Sequence, residues 1–275
     1  MNEKYYDANK ELWDEFARIH YEIESEDYNV KSFLEGQTTL KSYELREMGN
    51  VKGKSLLHLQ CHFGLDTLSW AREGAIVTGI DISSEGIRLA KLLTKQAILE
   101  ANFIESNLYD LPKVLSEKFD IVYTSIGVLS WLNDLKEWGK IITHYLKPGG
   151  FFYIAEIHPF SLIFDNETKN IKDLQIFYNY FHDPIPMEFI ADETYASNGT
   201  KIDPKKEYEW AYSMSDIINS LIEAGLRIEF LNEYPFTVWK QFPFAERGPD
   251  GFCHLKNQKA EIPLLFTLKA VKFQN

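Results

Sequence analysis

The sequence predicts an α/β fold organised on a parallel, doubly wound sheet, and three observations carry that prediction. Residues 55–83, SLLHLQCHFGLDTLSWAREGAIVTGIDIS, read as strand, tight turn, helix and strand. Asp81 stands at the tip of the second strand, about 20 residues past the turn, where a nucleotide-binding unit places a carboxylate on ribose hydroxyls. Strands go on alternating with helices as far as Glu156, the pattern of a parallel sheet with right-handed crossovers.

Residues 1–50 are polar and helix-rich. Trp13, Phe16, Ala17 and His20 recur at helical spacing and predict an amphipathic helix over 11–21. Tyr5, Tyr6 and Trp13 either pack on the main domain or close over a cofactor or substrate. Gly36-Gln37-Thr38-Thr39 is a turn that can border a pocket, and a helix over 40–48 is stopped by Gly49-Asn50. The first strand, 55–60, is apolar enough to be buried on both faces. Gly64 closes the turn, Asp66 or Thr67 caps the next helix, and Leu68, Trp70 and Ala71 form its inner face. After Gly74 the second strand runs over 75–80. Ser83 or Ser84 caps a helix with Ile87, Leu89, Ala90, Leu93 and Ala97 on one side.

The third strand covers Asn102–Glu105 and leads into a polar turn ended by Pro112. Phe119–Thr124 is the fourth strand, and Ser125–Leu129 leaves its carboxyl end. Trp138, Ile141, Ile142, Tyr145 and Leu146 mark an amphipathic helix, broken by Pro148-Gly149-Gly150 before a fifth strand over 151–156. Residues 158–208 interrupt the alternation with several aromatics, Pro184-Ile185-Pro186 and a turn at Asn198-Gly199, as antiparallel strands or a lid. A helix over 213–224 stops at Gly225, and strands follow over Leu226–Tyr234 and 264–271. The expected organisation is a helical cap over 1–50 and a main domain over 51–275, in which 158–208 is a lid or substrate insertion.

Composition narrows the function. Hydrophobic residues make up 45% of 275, enough for a sizeable core. A formal net charge of -12 argues against a non-specific nucleic-acid binder, since phosphate contacts need clustered Lys and Arg. Cys61 and Cys253 are the only cysteines, too few for a disulfide framework. His58, Cys61 and His62 lack the spacing of a zinc site, and no metal is expected. The first ten residues lack an apolar signal core, and no run approaches the roughly 18 apolar residues of a membrane span, so a cytoplasmic protein is expected.

The order of elements, the strand-end residues and the two late strands resemble a class I S-adenosylmethionine-dependent methyltransferase. The likeness covers roughly 50–160 by motif and 213–272 by layout. It implies a Rossmann-like sheet of seven strands with the last antiparallel, S-adenosyl-L-methionine as methyl donor and S-adenosyl-L-homocysteine as product. The family's first motif, an acidic residue followed by three glycines at alternate positions, reads here His58, Gln60, His62 and Gly64. Two glycines are therefore replaced where backbone must approach the ligand closely. The run LLHLQCHFG with DTLSWAR resembles a recurring variant among uncharacterised bacterial methyltransferases, in which Gln60 and His62 point aside or contact the methionyl part of the donor.

By the same resemblance, His58, Gln60, Cys61 and Gly64 belong to the donor site. Asp81 takes both ribose hydroxyls, with Ile82 beside the adenine. Asn107 falls where an aspartate usually reads the adenine amino group, and its amide oxygen can still accept, with Leu108 offering backbone N–H. Ser125 and Ile126 match the stretch beside the methionine moiety, and Leu146-Lys147-Pro148-Gly149-Gly150 matches the turn before strand five. Plainer roles stand beside these: Asp81 as a helix cap, Asn107 as a turn residue and His58 as a hydrogen-bonded core histidine.

Methyl transfer from a sulfonium is an in-line displacement, so the protein mainly aligns acceptor, methyl and sulfur. The acceptor, expected to be a small molecule, enters over strands four and five. Tyr6, Trp13, Trp131, Trp210 and Tyr212 are candidate walls of its site. His158 is the candidate base if one is needed, with Glu156 two residues earlier on the same side to orient it and raise its pKa. A histidine tied to backbone at a strand end is the alternative. Two other functions fit parts of the pattern. A non-catalytic S-adenosylmethionine-binding module accounts for the missing glycines. A nicotinamide-dependent oxidoreductase would use the same Asp81 but lacks its Gly-rich pyrophosphate cradle.

Overall fold

The computed structural model describes residues 3–25, 27–166, 168, 171–196, 200–256 and 260–274. Its helices are α1 (Glu3–Glu22), α2 (Val30–Leu34), α3 (Ser42–Met48), α4 (Leu65–Arg72), α5 (Ser84–Gln96), α6 (Leu135–Tyr145) and α7 (Met214–Glu223). The first five strands are β1 (Ser55–Leu59), β2 (Ile76–Asp81), β3 (Asn102–Glu105), β4 (Phe119–Thr124) and β5 (Leu146–Ile157). They are followed by β6 (Met187–Glu193), β7 (Lys201–Glu209), β8 (Leu226–Tyr234), β9 (Phe236–Thr237), β10 (Ala245–Arg247), β11 (Cys253–Leu255) and β12 (Leu265–Lys272). The main sheet has seven strands in the order β3-β2-β1-β4-β5-β12-β8. β1 to β5 pair in parallel, and β12 runs antiparallel to both β5 and β8. This is the expected seven-stranded, doubly wound, Rossmann-like arrangement.

Side-chain alternation covers both faces. Leu57, Leu59, Val122, Phe152 and Ile154 pack on one side with Trp138, Ile141 and Ile142 of α6 and Ile217 and Leu221 of α7. Leu56, Val77, Ile121, Tyr123 and Tyr153 pack on the other with Tyr43 and Met48 of α3 and Trp70 of α4. Period-two strands between two helical layers require this pattern.

The termini of the helices explain their boundaries. Ser83 caps α5, its hydroxyl accepting the Gly86 N–H at 2.8 Å, and Ser213 and Asp216 form a reciprocal capping box on α7. Neither Asp66 nor Thr67 caps α4. Gly64 takes that position in a left-handed conformation (φ +82°), and a Cβ there would come within 2.6 Å of the Phe103 ring. Asp66 instead accepts the Thr39 hydroxyl, and Thr67 hydrogen-bonds to His58.

α1 starts eight residues before the apolar periodicity suggests, because tertiary contacts hold its first turns. Asn9 both donates to the Tyr208 carbonyl and accepts the Tyr208 N–H, at 2.9 Å each. Asp14 accepts the Ser83 hydroxyl at 2.6 Å and the Glu85 N–H at 3.0 Å, where a carboxylate suits the start of α5. Within the insertion, β6 and β7 form an antiparallel hairpin, while the Asn198-Gly199 turn lies outside the described residues. β9, β10 and β11 form a small second sheet between β8 and β12, too short in sequence to show a period.

One strained cap gives a test. Ile98 ends α5 at φ +54°, with its N–H bonded to the Lys95 carbonyl and the Leu99 N–H to the Thr94 carbonyl. This paired closure favours glycine, and a β-branched side chain is disfavoured there. Ile98 is 91% exposed, so little packing is lost on truncation. Ile98→Gly should raise the unfolding free energy by about 1 kcal/mol, read as a higher urea midpoint at unchanged m-value.

Candidate active site

A cavity of about 690 Å³ opens at the carboxyl ends of β1, β2, β4 and β5, beneath α1 and the β6–β7 hairpin. Its floor is the turn after β1. Gln60 and His62 have φ of +57° and +52°, and Gly64 follows at +82°. The two non-glycine residues hold the left-handed conformation that glycine adopts without strain, at a cost on the order of 1–2 kcal/mol each. Their side chains leave the turn by separate routes. Gln60 Nε2 donates to the Val128 carbonyl at 3.2 Å, while the His62 ring packs 5.2 Å from those of Trp13 and His20.

Asp81 is only 8% exposed, yet it borders the cavity. One carboxylate oxygen accepts the His62 N–H at 2.7 Å and the other accepts the Ser83 N–H at 2.8 Å. Burial pushes its pKa up to about 6, against the pull of these two bonds. Each oxygen keeps a further lone pair. Ile82 lies beside it, its carbonyl accepting Lys10 Nζ at 2.9 Å.

Cys61, Gly64, Asn107, Leu108, Ser125 and Ile126 also line the cavity. Asn107 Oδ1 accepts the Tyr109 N–H at 3.0 Å and so starts a short 3-10 turn over Leu108–Lys113, leaving one lone pair for another donor. His58 is not part of the wall. It is 1% exposed, with Nδ1 2.7 Å from the Thr67 hydroxyl and Nε2 3.1 Å from that of Ser125, so it supports Ser125 from behind. Burial drives His58 and His20 down to about 3. His20 Nδ1 lies 3.0 Å from His62 Nε2, so two neutral imidazoles join α1 to the turn.

The expected Glu156–His158 pair is not formed, and neither residue lines the cavity. Glu156 is 3% exposed and accepts four backbone N–H groups, from Gly127, Val128, Leu129 and Ile157, at 2.6 to 3.0 Å. It organises the loop leaving β4. His158 Nδ1 accepts the Phe160 N–H at 3.0 Å, so its other nitrogen carries the proton and donates to Glu233 at 2.8 Å. Burial lowers its pKa and Glu233 only partly offsets this, the reverse of the expected upward shift. Both nitrogens are engaged, as expected of a histidine tied down at a strand end rather than a free base.

Tyr6, Trp13, Trp131, Trp210 and Tyr212 all reach the cavity. Trp13 and Trp131 meet edge to face at 5.1 Å, and Trp131 Nε1 donates to the Gly127 carbonyl at 2.9 Å. Tyr212 donates to the Leu132 carbonyl at 2.7 Å, which links the segment between β7 and α7 to the loop after β4. Sequence reasoning missed Glu44 and Asp66, both in the cavity wall. The only hint was the turn at 36–39, whose Thr39 does border it. A glutamate in a short polar helix otherwise reads as solvated. Among the described residues, no group of three or more His, Cys, Asp or Glu is arranged to hold a metal ion. Among the same residues, no helix is long and apolar enough to cross a membrane.

Residues 57–154 match the family described as Methyltransferase domain. The chain is similar to the ubiquinone biosynthesis O-methyltransferases of Serratia proteamaculans and Photorhabdus laumondii. Each is 27% identical over 117 residues, 42% of this chain and 48% of the relative. The chain thus spans about half the length of these relatives. It also resembles the solved S-adenosylmethionine-dependent methyltransferase from Mesorhizobium loti, with a TM-score of 0.58 at 20% identity, over 87% of this chain and 100% of that one. Another, from Clostridium acetobutylicum, gives 0.57 at 16% identity over 95% and 99%. At these identities the structural likeness is one of fold.

The loop after β4 depends on one side chain. Glu156→Ala would leave several buried N–H groups without an acceptor, and should destabilise the protein by about 3 kcal/mol or more. Urea unfolding followed by tryptophan fluorescence reads the loss.

Proposed function

We propose that the protein methylates a small-molecule acceptor with S-adenosylmethionine: residues 57–154 match the family described as Methyltransferase domain, and the fold resembles that of solved S-adenosylmethionine-dependent methyltransferases. The observation that carries this reading is Asp81: a nearly buried carboxylate at the end of β2, fixed by two backbone N–H groups, with lone pairs left on the cavity side. The turn supports it too. Gln60 and His62 keep the backbone course of the absent glycines, so the floor stays low despite the substitutions. A module that had lost its ligand would have no use for that strain.

The wall fits the donor by type and order of groups. Asp81 would accept from the ribose hydroxyls, Ile82 and Leu108 would border the adenine, and Asn107 Oδ1 would accept from its amino group. Gln60, Cys61 and Gly64 line the floor, and Ser125 and Ile126 flank the methionyl part. The bound donor supplies a methyl group on a sulfonium, already activated toward nucleophiles. The chain's own work is alignment and exclusion of water. His58 holds the Ser125 hydroxyl, and Glu156 fixes the Gly127–Leu129 backbone beside it. Tyr6, Trp13, Trp131, Trp210 and Tyr212 form an aromatic enclosure suited to a small acceptor. α1 acts as the cap and the β6–β7 hairpin as the lid of that enclosure.

Calorimetric titration with S-adenosylhomocysteine, and with NADH in parallel, tests the reading. Micromolar binding of the former alone is expected, weakened about a hundredfold in Asp81→Ala by loss of two charge-assisted hydrogen bonds. Binding of neither ligand by folded protein would refute the enzyme.

The pH dependence has a definite sign. Hydroxyl donors need the ionised carboxylate, so affinity is full above the Asp81 pKa of about 6 and falls below it. Titration at pH 5 should give about tenfold weaker binding than at pH 7.5.

A further inference from the structure

We infer that the methyl acceptor is a small organic amine, received by a corner of the cavity formed by Glu44 and Asp66. This rests on the methyltransferase reading and names the class of its acceptor. The described residues lining the cavity include eight carboxylates, one lysine, Lys41, and no arginine, and two of the carboxylates, Asp192 and Glu193, pair with Lys201 outside the lining. Such a wall attracts cations and repels carboxylate or phosphate acceptors.

Glu44 is 5% exposed. One of its oxygens accepts the Tyr123 hydroxyl, and the other accepts the Lys41 N–H at 2.8 Å. Asp66 accepts the Thr39 hydroxyl. The charge of Lys41 lowers both carboxyls, yet among the described residues no ammonium or guanidinium comes within ion-pair distance of either. Burial comes first and the neighbouring Asp66 second in pushing Glu44 up to about 7, and burial also raises Asp66. A bound cation would relieve both.

An acceptor oxygen of the same cavity wall points to a ligand with N–H groups. Gln241 is 7% exposed, and its Nε2 donates to the Ser161 carbonyl at 3.4 Å and the Ser161 hydroxyl at 3.2 Å. That carbonyl can only accept, which sets the amide's orientation and leaves Oε1 buried without a donor. Unmet buried acceptors are costly, and a ligand donor would satisfy them. Tyr43 and Trp239 also line the cavity, and aromatic rings suit a cation.

Glu44 is anchored on Tyr123 of β4, two strands from Asp81 on β2, roughly 10 Å across the sheet. An amine entering as its ammonium form gives one proton to the Glu44 carboxylate. Its freed lone pair forms a bond to the methyl carbon, the carbon–sulfur bond breaks, and that electron pair stays on sulfur. The products are a neutral Glu44 acid, a thioether and a methylated ammonium, so charge is conserved.

The test uses 2-phenylethylamine, 2-phenylethanol and 3-phenylpropanoate as probes, titrated at pH 7.5 with and without saturating S-adenosylhomocysteine. The amine should bind at least about tenfold more tightly than the alcohol, and the anion more weakly still. Glu44→Gln and Asp66→Asn should each remove that preference while leaving S-adenosylhomocysteine affinity within about twofold. Equal binding of the three probes, or preference for the anion, overturns the inference. Loss of S-adenosylhomocysteine affinity in the two variants also overturns it, because the corner would then hold the amino-acid end of the donor. If the wild type binds no S-adenosylhomocysteine, the methyltransferase reading fails on its own, and the probe ranking still decides the corner's preference. Should Glu44→Gln not fold, Asp66→Asn and the wild-type ranking decide.

Discussion

The Asp81 carboxylate accepts one N–H from the turn after β1 and one from the start of α5, and the cavity depends on that junction. Two chain segments that diverge from adjacent strands are thereby held to a single buried group. The His62 N–H reaches it because His62 keeps a left-handed conformation. Strain in the turn and fixation of the carboxylate are two aspects of one arrangement. Functional sites hold such strain where surrounding contacts over-determine it. Here those contacts are the Gln60 side chain on the Val128 carbonyl and the His62 ring against His20 and Trp13.

The same economy of groups recurs around the cavity. Glu156 brings the loop after β4 into place with three backbone bonds, and Asp14 and Asn9 hold α1 on the start of α5 and on β7. Each is a polar side chain satisfied by backbone at long sequence separation. Buried polar groups arranged in this way specify one position for a loop or helix, because any shift leaves several donors or acceptors unmet. The aromatic enclosure of Trp13 and Trp131 is consequently set by hydrogen bonds some distance from the rings themselves.

Buried ionisable groups separate into two kinds. His58 and Glu156 have all their hydrogen-bonding atoms occupied by the protein and lie behind the wall. Asp81, Glu44 and Asp66 lie in the wall itself, and burial raises each of them. The distinction is chemical as well as spatial: only a group with unspent lone pairs on a cavity can respond to a ligand.

Local patterning was enough to determine the seven strands of the main sheet, their alternation with helices, a cap at Ser83 or Ser84 and the carboxylate at the end of β2. Each of these follows from periodicity, turn residues or spacing within some thirty residues, where a sequence keeps its physical meaning without folding. The turn at Gln60 and His62 showed in sequence only as a departure, since residue type alone does not reveal that non-glycine residues hold a left-handed path. Glu156 and His158 looked like a pair because they are two apart, whereas the folded chain gave them acceptor and donor partners from other segments. Glu44 did not show and Asp66 showed only as a candidate helix cap, because their proximity joins a short polar helix to the first turn of α4. Tertiary structure alone decided these points. The partners of a buried polar group are chosen by which distant backbone and side chains come within about 3 Å, and no local periodicity records that.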